Sequence, residues 1–182
     1  KELEGIHSRT DFDLKSHQKL SGKKINYYDH KTKSSFVPYV IETSVGLDRL
    51  FLSVLSASYQ NQKLKNGTER IFLKIPFNLA PIKAAILPLN AKDNLPERAK
   101  LLYDELKMFF NIQYDEKDSI GKRYRRQDAI GTPYCITFDY DTLKDNSVTI
   151  RNRNSMVQER VLLSSTKDYI INNVSIDNLL TQ

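Results

Sequence analysis

Residues 82–89 read Ile-Lys-Ala-Ala-Ile-Leu-Pro-Leu, a nearly continuous apolar run that ends near Pro88. A short run of this kind is typical of a strand buried on both faces of a parallel sheet. Asn94 is then a candidate N-cap and Pro96 stands in the first turn of a predicted helix. The apolar face of that helix comprises Ala99, Leu102, Tyr103, Leu106, Phe109 and Phe110. Together these patterns predict a strand–helix unit of an α/β sheet.

The residues that follow repeat this alternation of strand and helix. Residues 112–114 form a short predicted strand, and a helix over about 121–130 begins after Ser119 and ends at Gly131. Further strands are predicted over 134–140, 148–152 and 156–163, with a last helix near 167–173. This order predicts the α/β class, with a mixed, mostly parallel sheet flanked by helices on both faces.

The residues before Pro81 follow a different pattern. Strands are predicted over 2–6, 25–29, 36–42 and 70–75, a short helix or turn over 13–20, a longer helix over 45–59 and a polar turn over 60–69. The strands 25–29 and 36–42 are expected to pair antiparallel. Because this segment lacks the rest of a sheet, we expect exposed apolar surface unless it packs on further sequence. We therefore predict two domains, 1–81 and 82–182, in a chain that is part of a longer protein.

The charge of the chain suggests a polyanionic partner, but only through local clusters. The formal net charge is +6 and the pI is about 9.3. Residues 1–81 carry 13 lysines and arginines against 8 acidic residues, whereas residues 82–182 carry 15 against 14. A nucleic-acid contact in the second segment must therefore rest on particular side chains rather than on overall charge.

The cysteine count and hydropathy exclude several classes of protein. The single cysteine, Cys135, rules out an internal disulfide and a multi-cysteine metal site, and it fits a reducing compartment such as the cytoplasm. The histidines are scattered without ligand spacing, so no metal site is predicted. No apolar run approaches the roughly 18 residues that span a bilayer, so no membrane partner is expected.

The stretch 37–50 carries candidate binding groups at the end of a strand and the start of a helix. Its strand ends with the Glu42 carboxylate and the Ser44 hydroxyl, the chain turns at Gly46, and Arg49 falls in the first helical turn. A cation in that position opposes the helix dipole. Either Asp48 pairs with Arg49 on the surface, or a bound polyphosphate uses both the guanidinium and the free helix N–H groups. The residues alone favour the surface pair.

The stretch 121–127 concentrates positive charge at the start of a predicted helix. Its cations are Lys122, Arg123, Arg125 and Arg126. Helical spacing places Lys122, Arg125 and Arg126 on one face and Arg123 elsewhere. The cations suit phosphates, and Tyr124 suits stacking on an unpaired base. A solvated helix whose arginines pair with Asp118 and Asp128 is an equal alternative.

Two further arginines, Arg151 and Arg153, alternate along a predicted strand and so share one face. They either extend a basic surface or belong to a solvated sheet face.

Five blocks of the chain, taken in order, resemble class II glycyl-tRNA synthetases. The block 42–49, Glu-Thr-Ser-Val-Gly-Leu-Asp-Arg, is similar to the third signature motif in its glycyl form, with Thr43 where Pro is usual. The other blocks are residues 2–14, 79–83, 119–133 and 148–158. The resemblance implies that residues 1–81 are the end of a catalytic domain and that residues 82–182 are an anticodon-binding domain.

The resemblance also implies roles for individual residues. The glycine-binding set is Arg9, Glu42, Thr43, Ser44, Val45 and Gly46. The ATP-binding set is Glu2, Leu3, Gly46, Leu47, Asp48 and Arg49. The tRNA-binding set is Lys122, Arg123, Tyr124, Arg125, Arg126, Arg151 and Arg153. No catalytic residue and no resident metal are implied for this chain.

The implied activity is that of a glycine–tRNA ligase, in which glycine reacts with ATP to give glycyl-adenylate and the glycyl group then passes to tRNA-Gly. ATP with Mg²⁺ is a substrate, there is no tightly bound cofactor, and the parent enzyme is expected to be a cytoplasmic homodimer. The first and second signature motifs are absent, so we expect this chain alone to be inactive. The alternatives are a non-catalytic, synthetase-like accessory protein that binds nucleic acid and a different class II synthetase.

Overall fold

The computed structural model describes residues 2–177, and its internal contacts divide the chain into two compact units, one up to Val54 and one from Leu55. The division falls inside a helix. Residues 178–182, the end of the predicted second domain, lie outside the described part.

The first unit is built around one antiparallel strand pair. Its elements are β1 (Glu4–Thr10), α1 (Phe12–Ser21), β2 (Tyr27–Asp29), β3 (Ser34–Phe36), β4 (Val40–Val45) and the start of α2 (Leu47–Ser58). Strand β4 pairs with β1, and β2 pairs with β3. The predicted antiparallel pairing of 25–29 with 36–42 is therefore confirmed only for Tyr27 with Phe36 and is wrong for 40–42, which pair with β1. Pro38, which has no N–H to donate to a strand ladder, separates β3 from β4.

Most side chains of this first unit are exposed. No residue of α1 is buried. The apolar side chains Leu47, Phe51 and Leu52 on α2 are also largely exposed. This matches the expectation of uncovered apolar surface in the segment.

The second unit opens with an antiparallel hairpin, β5 (Tyr59–Lys63) and β6 (Glu69–Leu73). The prediction of a polar turn over 60–69 is wrong for β5, although Gly67 does lie in a turn with φ of 81°. Strand β5 consists of polar and charged residues after Tyr59, so it lacks the apolar alternation by which a strand is predicted. Its pairing with β6 supplies the hydrogen bonds that define it.

The hairpin is followed by a five-stranded mixed sheet with helices. The elements are β7 (Ala84–Pro88), α3 (Leu95–Leu106), β8 (Ile112–Tyr114), α4 (Ile120–Ile130), β9 (Tyr134–Phe138), α5 (Thr142–Asp145), β10 (Ser147–Asn152), β11 (Gln158–Leu162) and α6 (Leu163–Val174). The strand order is β11-β10-β9-β7-β8. Strand β7 runs parallel to β8 and β9, and β10 runs antiparallel to β9 and β11. The predicted mixed α/β fold is confirmed.

Strand β7 shows how the helices are divided between the two faces of the sheet. Ala84 and Ile86 pack with buried residues of α3 and α6, whereas Ala85 and Leu87 pack with Cys135 and with Ile120 and Tyr124 of α4. Successive side chains of a strand point to opposite faces. Helices α3 and α6 therefore cover one face and α4 covers the other.

Cys135 lies in this core on β9, fully buried among apolar neighbours. Burial raises the pKa of its thiol to about 12. This agrees with its predicted place in an apolar strand.

The hairpin belongs to the same compact unit as the sheet. Strand β6 packs against α4, and Arg70 of β6 is buried against Asp128 of α4 at 2.8 Å. The compact unit thus begins at Leu55, upstream of Pro81. The assignment of 1–81 to a catalytic remnant and of 82–182 to an anticodon-binding domain stays a prediction.

Candidate functional site

The first candidate site is a cleft of about 270 Å³ where β4 ends and α2 begins. It is lined by Glu2, Leu3, Ser44, Val45, Gly46 and Arg49. The Arg49 guanidinium donates from Nη1 to the carbonyl of Glu2 at 2.6 Å, and the Gly46 N–H donates to the carbonyl of Leu3 at 3.4 Å. These two bonds bring residues predicted for ATP binding beside residues predicted for glycine binding.

The charge of Arg49 is not neutralised by any acidic side chain of the described residues in this cleft. Within residues 2–177 it makes no ion pair, and Asp48 beside it on α2 does not serve as its counter-ion. Asp48 and Leu47 are exposed in the first turn of the helix. The predicted surface ion pair between Arg49 and Asp48 is therefore wrong. The Arg49 guanidinium donates a hydrogen bond to the backbone carbonyl of Glu2 instead.

The carboxylate of Glu42 lies one strand period from Ser44, so both side chains share a face of β4, while Thr43 takes the opposite face. Arg9 stands 3.7 Å from Glu42, measured from Nε to Oε2. Its main partner is Asp13, which accepts two hydrogen bonds at 2.7 and 3.0 Å. That hydrogen-bonded contact with Asp13 raises the pKa of Arg9.

The second candidate site is the exposed face of α4. Lys122, Arg125 and Arg126 are exposed on it and Arg123 points elsewhere, as the helical spacing predicted. The burial of Arg123 was not predicted. Arg126 is held by Asp115 and Asp118, at 2.7 and 2.8 Å, and Lys122 lies 3.7 Å from Asp118.

Arg125 differs from its neighbours on this face. It makes no hydrogen bond and no ion pair with any residue in the described part of the chain. A guanidinium without partners on an exposed helix face can bind a phosphate or a base edge at no cost in lost protein contacts.

Arg123 is buried and hydrogen-bonds to backbone carbonyls instead of facing solvent. Its guanidinium donates to the carbonyls of Pro88, Leu89 and Asp115 at 2.6, 3.0 and 3.0 Å. These carbonyls lie at the carboxyl ends of β7 and β8, so Arg123 joins the two strands to α4. Burial lowers the pKa of Arg123. Arg123 was included in the predicted tRNA-binding set, but its guanidinium faces these carbonyls rather than solvent.

Tyr124 is half-buried and packs with Ala85, Leu87 and Cys135. Its hydroxyl shares a 2.7 Å hydrogen bond with the hydroxyl of Thr137, and burial raises its pKa. The ring therefore belongs to the packing between α4 and the sheet, and the predicted free ring for base stacking is not found.

Arg151 and Arg153 are also buried, so the prediction that they lie on a basic or solvated sheet face is wrong. Asp128 accepts two hydrogen bonds from Arg151, at 2.9 and 3.0 Å, and one from Arg70 at 2.8 Å. Burial acts to lower the pKa of Arg151, but the contact with Asp128 outweighs it and the pKa is raised. We call Arg70, Asp128, Arg151 and Arg153 the buried arginine cluster.

Arg153 lies one residue beyond β10 and bonds mainly to backbone. Its guanidinium donates to the carbonyls of Gly131 and Ile75, both at 2.6 Å. Arg70 in turn donates to the carbonyl of Arg153 at 2.5 Å. The cluster thereby joins β6, α4 and β10. Whether any of these residues contacts tRNA stays a prediction, and the geometry leaves Lys122, Arg125 and Arg126 as the exposed members of the predicted set.

Comparison with known proteins gives this second unit a family. The family model described as an anticodon-binding domain matches residues 83–173, which is half of the chain. This chain belongs to the anticodon-binding domain family.

Relatives of this anticodon-binding chain also match its first unit. Glycine–tRNA ligases from Chlorobaculum tepidum, Clostridium beijerinckii and Thermobifida fusca are 50%, 53% and 44% identical to it, each over 93% of this chain. The resemblance to glycyl-tRNA synthetases is thereby confirmed. The chain spans 36 to 37% of the length of these relatives.

The fold of this anticodon-binding chain also occurs in a solved structure. The crystal structure of the RNA-binding domain of threonyl-tRNA synthetase from Cryptosporidium parvum matches with a TM-score of 0.66 and 18% identity. The match covers 96% of this chain and 40% of the other. At that identity the likeness shows the fold alone.

Two surveys of residues 2–177 were negative. No helix there is both long and apolar enough to cross a membrane. No group of three or more His, Cys, Asp or Glu side chains is arranged to hold a metal ion.

Proposed function

We propose that this chain is the part of a glycine–tRNA ligase that binds tRNA-Gly and supplies one wall of the glycine and ATP site. The observation that carries the proposal is Arg125, an exposed guanidinium without partners on α4 of an anticodon-binding domain. It is supported by the roughly 50% identity to glycine–tRNA ligases.

In the proposed reaction the glycine carboxylate attacks the α-phosphate of ATP, and pyrophosphate leaves. The glycyl group of the adenylate then passes to the 3′ end of the tRNA. Arg49 would neutralise charge on the ATP phosphates, with Mg²⁺ arriving on ATP. Glu42 and Ser44, which share one face of β4, would hold the glycine ammonium. Cytoplasmic localisation and a homodimeric parent enzyme belong to the same proposal.

We expect the isolated chain not to charge tRNA with glycine. In this chain Glu42, Ser44 and Arg49 are exposed rather than enclosed, and among the described residues Arg49 is the only arginine that lines the cleft. The measurement is aminoacylation with radiolabelled glycine, with a full-length glycine–tRNA ligase as the positive control. Charging by purified chain at a comparable rate would contradict this expectation.

The binding proposal is tested by titrating the chain with tRNA-Gly and with a copy altered only in its anticodon, at one moderate salt concentration. We expect tighter binding to the native anticodon. Arg125→Ala should weaken binding about tenfold, equivalent to about 1.4 kcal/mol.

The control for that titration is Lys100→Ala, which removes one exposed charge from α3 on the opposite face of the sheet and should bind as the wild type does. Equal and strongly salt-dependent binding of both tRNAs would indicate backbone attraction without anticodon recognition. That result would favour a non-catalytic nucleic-acid-binding protein over a ligase component.

A further inference from the structure

Two clefts of the second unit meet at Gln62. One, of about 290 Å³, is lined by Gln60, Asn61, Gln62, Phe72, Lys74 and Asn154. The other, of about 430 Å³, shares Gln62 and adds Lys63, Lys65 and Met156 among its lining residues. We call this joined surface the hairpin groove, because it runs between the β5–β6 hairpin and the turn that follows β10.

The buried arginine cluster fixes the orientation of two amides in this groove. The Gln62 oxygen accepts a hydrogen bond from Arg70 at 3.1 Å, and the Asn154 oxygen accepts one from Arg153 at 3.0 Å. A guanidinium only donates, so each amide must turn its oxygen toward the arginine. Its NH₂ group then points the other way. Neither NH₂ group has a partner among residues 2–177.

The charge of the groove is positive along its hairpin side. Lys63, Lys65 and Lys74 are exposed along it, and no acidic residue lines either cleft. Behind it, the buried arginine cluster holds three guanidiniums and one carboxylate, that of Asp128, which pairs with Arg70 and Arg151. Arg153 donates to the backbone carbonyls of Gly131 and Ile75 and to the side-chain oxygen of Asn154 instead. Burial, reinforced by the charge of Arg70, lowers the pKa of Arg153 to about 10.

Hydrogen-bond donors without matching acceptors, set in a positive field, select an anion. Phosphate oxygens of a nucleic-acid backbone accept such bonds from lysine and amide side chains. The groove lies beside α4, because β6 packs on α4 and the Arg70–Asp128 ion pair joins them. A tRNA held by Arg125 could therefore continue along the hairpin.

We propose that the hairpin groove binds backbone phosphates of RNA, as a second contact for the tRNA placed on α4. This inference rests on the proposed function. It adds to that function a site with one wall in the β5–β6 hairpin, which the anticodon-binding family model does not cover, and the other wall at Asn154 and Met156, within residues 83–173.

The test is the double variant Gln62→Glu/Asn154→Asp. Each substitution keeps the oxygen that accepts from an arginine and replaces only the free NH₂ group, so the fold is retained while the groove repels phosphate. We expect affinity for tRNA-Gly to fall tenfold or more. The control, Lys100→Gln/Lys167→Gln, lowers the net charge by the same two units, but on α3 and α6 at the opposite face. It should bind nearly as the wild type does.

The outcomes separate this inference from the proposed function. Unchanged affinity of Gln62→Glu/Asn154→Asp, together with a loss in Arg125→Ala, overturns the groove and leaves the proposed function standing. If the wild-type chain binds no tRNA-Gly, the proposed function fails and the groove assignment fails with it. In a separate experiment, the wild-type chain is titrated with inorganic phosphate while the side-chain amides of Gln62 and Asn154 are observed by NMR. Saturation by free phosphate without any effect of the variant on tRNA would assign the groove to a small anion instead.

Discussion

Replacing Asp128 by asparagine should lower the free energy of unfolding of the second unit by about 3–5 kcal/mol. Asp128 is 2% exposed and is the only carboxylate that Arg70 and Arg151 contact in the described part of the chain. Asparagine keeps the size of the side chain but removes its charge and turns one oxygen into a donor. Two buried guanidiniums then lose their counter-ion, and one of them faces another N–H group.

The measurement for this variant is equilibrium unfolding in urea, with Asp118→Asn as the matched control. Asp118 carries the same charge and bonds to Arg126, but it is about half exposed and its ion pairs are screened by water. We expect its loss to cost less than about 1 kcal/mol. Similar costs for the two variants would show that the buried arginine cluster does not depend on its carboxylate.

A double-mutant cycle identifies the cause of the destabilisation. In the Asp128→Asn background, Arg151→Met should cost far less than in the wild type, because the guanidinium it removes is already unpaired. The methionine still offers an apolar stem to the Tyr124 ring, over which the guanidinium lies at 4.8 Å. Strictly additive costs would contradict a direct interaction between the two residues.

The elements of the sheet could be predicted because their apolar residues repeat with the period of the element. The apolar run 82–89 predicted β7. The apolar face with Ala99, Leu102 and Leu106 predicted α3, and these three side chains are all buried. Gly131 marked the end of α4 because a left-handed residue closes many helices, and its φ is 85°. Strand β5 was missed because its side chains are polar on both faces.

The burial of the arginines could not be predicted from their own stretch of sequence. A run such as 122–126 has the same composition whether it faces water or the core, and only its partners differ. The partners of Arg123 include the carbonyls of Pro88 and Leu89, more than 30 residues away. Those of Asp128 include Arg70, 58 residues away in a hairpin that the sequence did not predict.

The partner of Arg49, at the junction of β4 and α2, could not be predicted from the local sequence either. Arg49 was expected to pair with its neighbour Asp48, yet it donates to the carbonyl of Glu2, 47 residues earlier in the chain. The fold brings these residues together through the β1–β4 pairing, which the sequence did not assign. Helical spacing did succeed within α4 in placing Arg123 on a different face from Arg125, because that division depends only on the local period, whereas the burial of Arg123 depends on distant partners.

Gly131→Ala should destabilise the second unit by about 2–5 kcal/mol, through two separable costs. Gly131 lies in the left-handed region with φ of 85°, where a residue with a Cβ is strained by about 1–2 kcal/mol. A Cβ there would also lie 3.2 Å from the carbonyl oxygen of Leu73 and 3.1 Å from Ile75 Cδ1, and such overpacking costs about 1–3 kcal/mol. The Leu73 oxygen is backbone at the end of β6, so it can move only if the hairpin moves.

The matched control is Gly67→Ala, in the turn between β5 and β6, where φ is 81° and no atom lies within 4 Å of the added Cβ. It carries the left-handed strain alone, so the difference between the two variants measures the contact between the α4 terminus and β6. We expect Gly131→Ala, but not Gly67→Ala, to increase amide hydrogen exchange along β6. It should also weaken tRNA-Gly binding, because the Gly131 carbonyl holds Arg153, which orients Asn154 in the hairpin groove. Equal destabilisation by both variants would mean that the hairpin yields to the added methyl group, and its attachment to α4 would then be looser than the buried ion pairs imply.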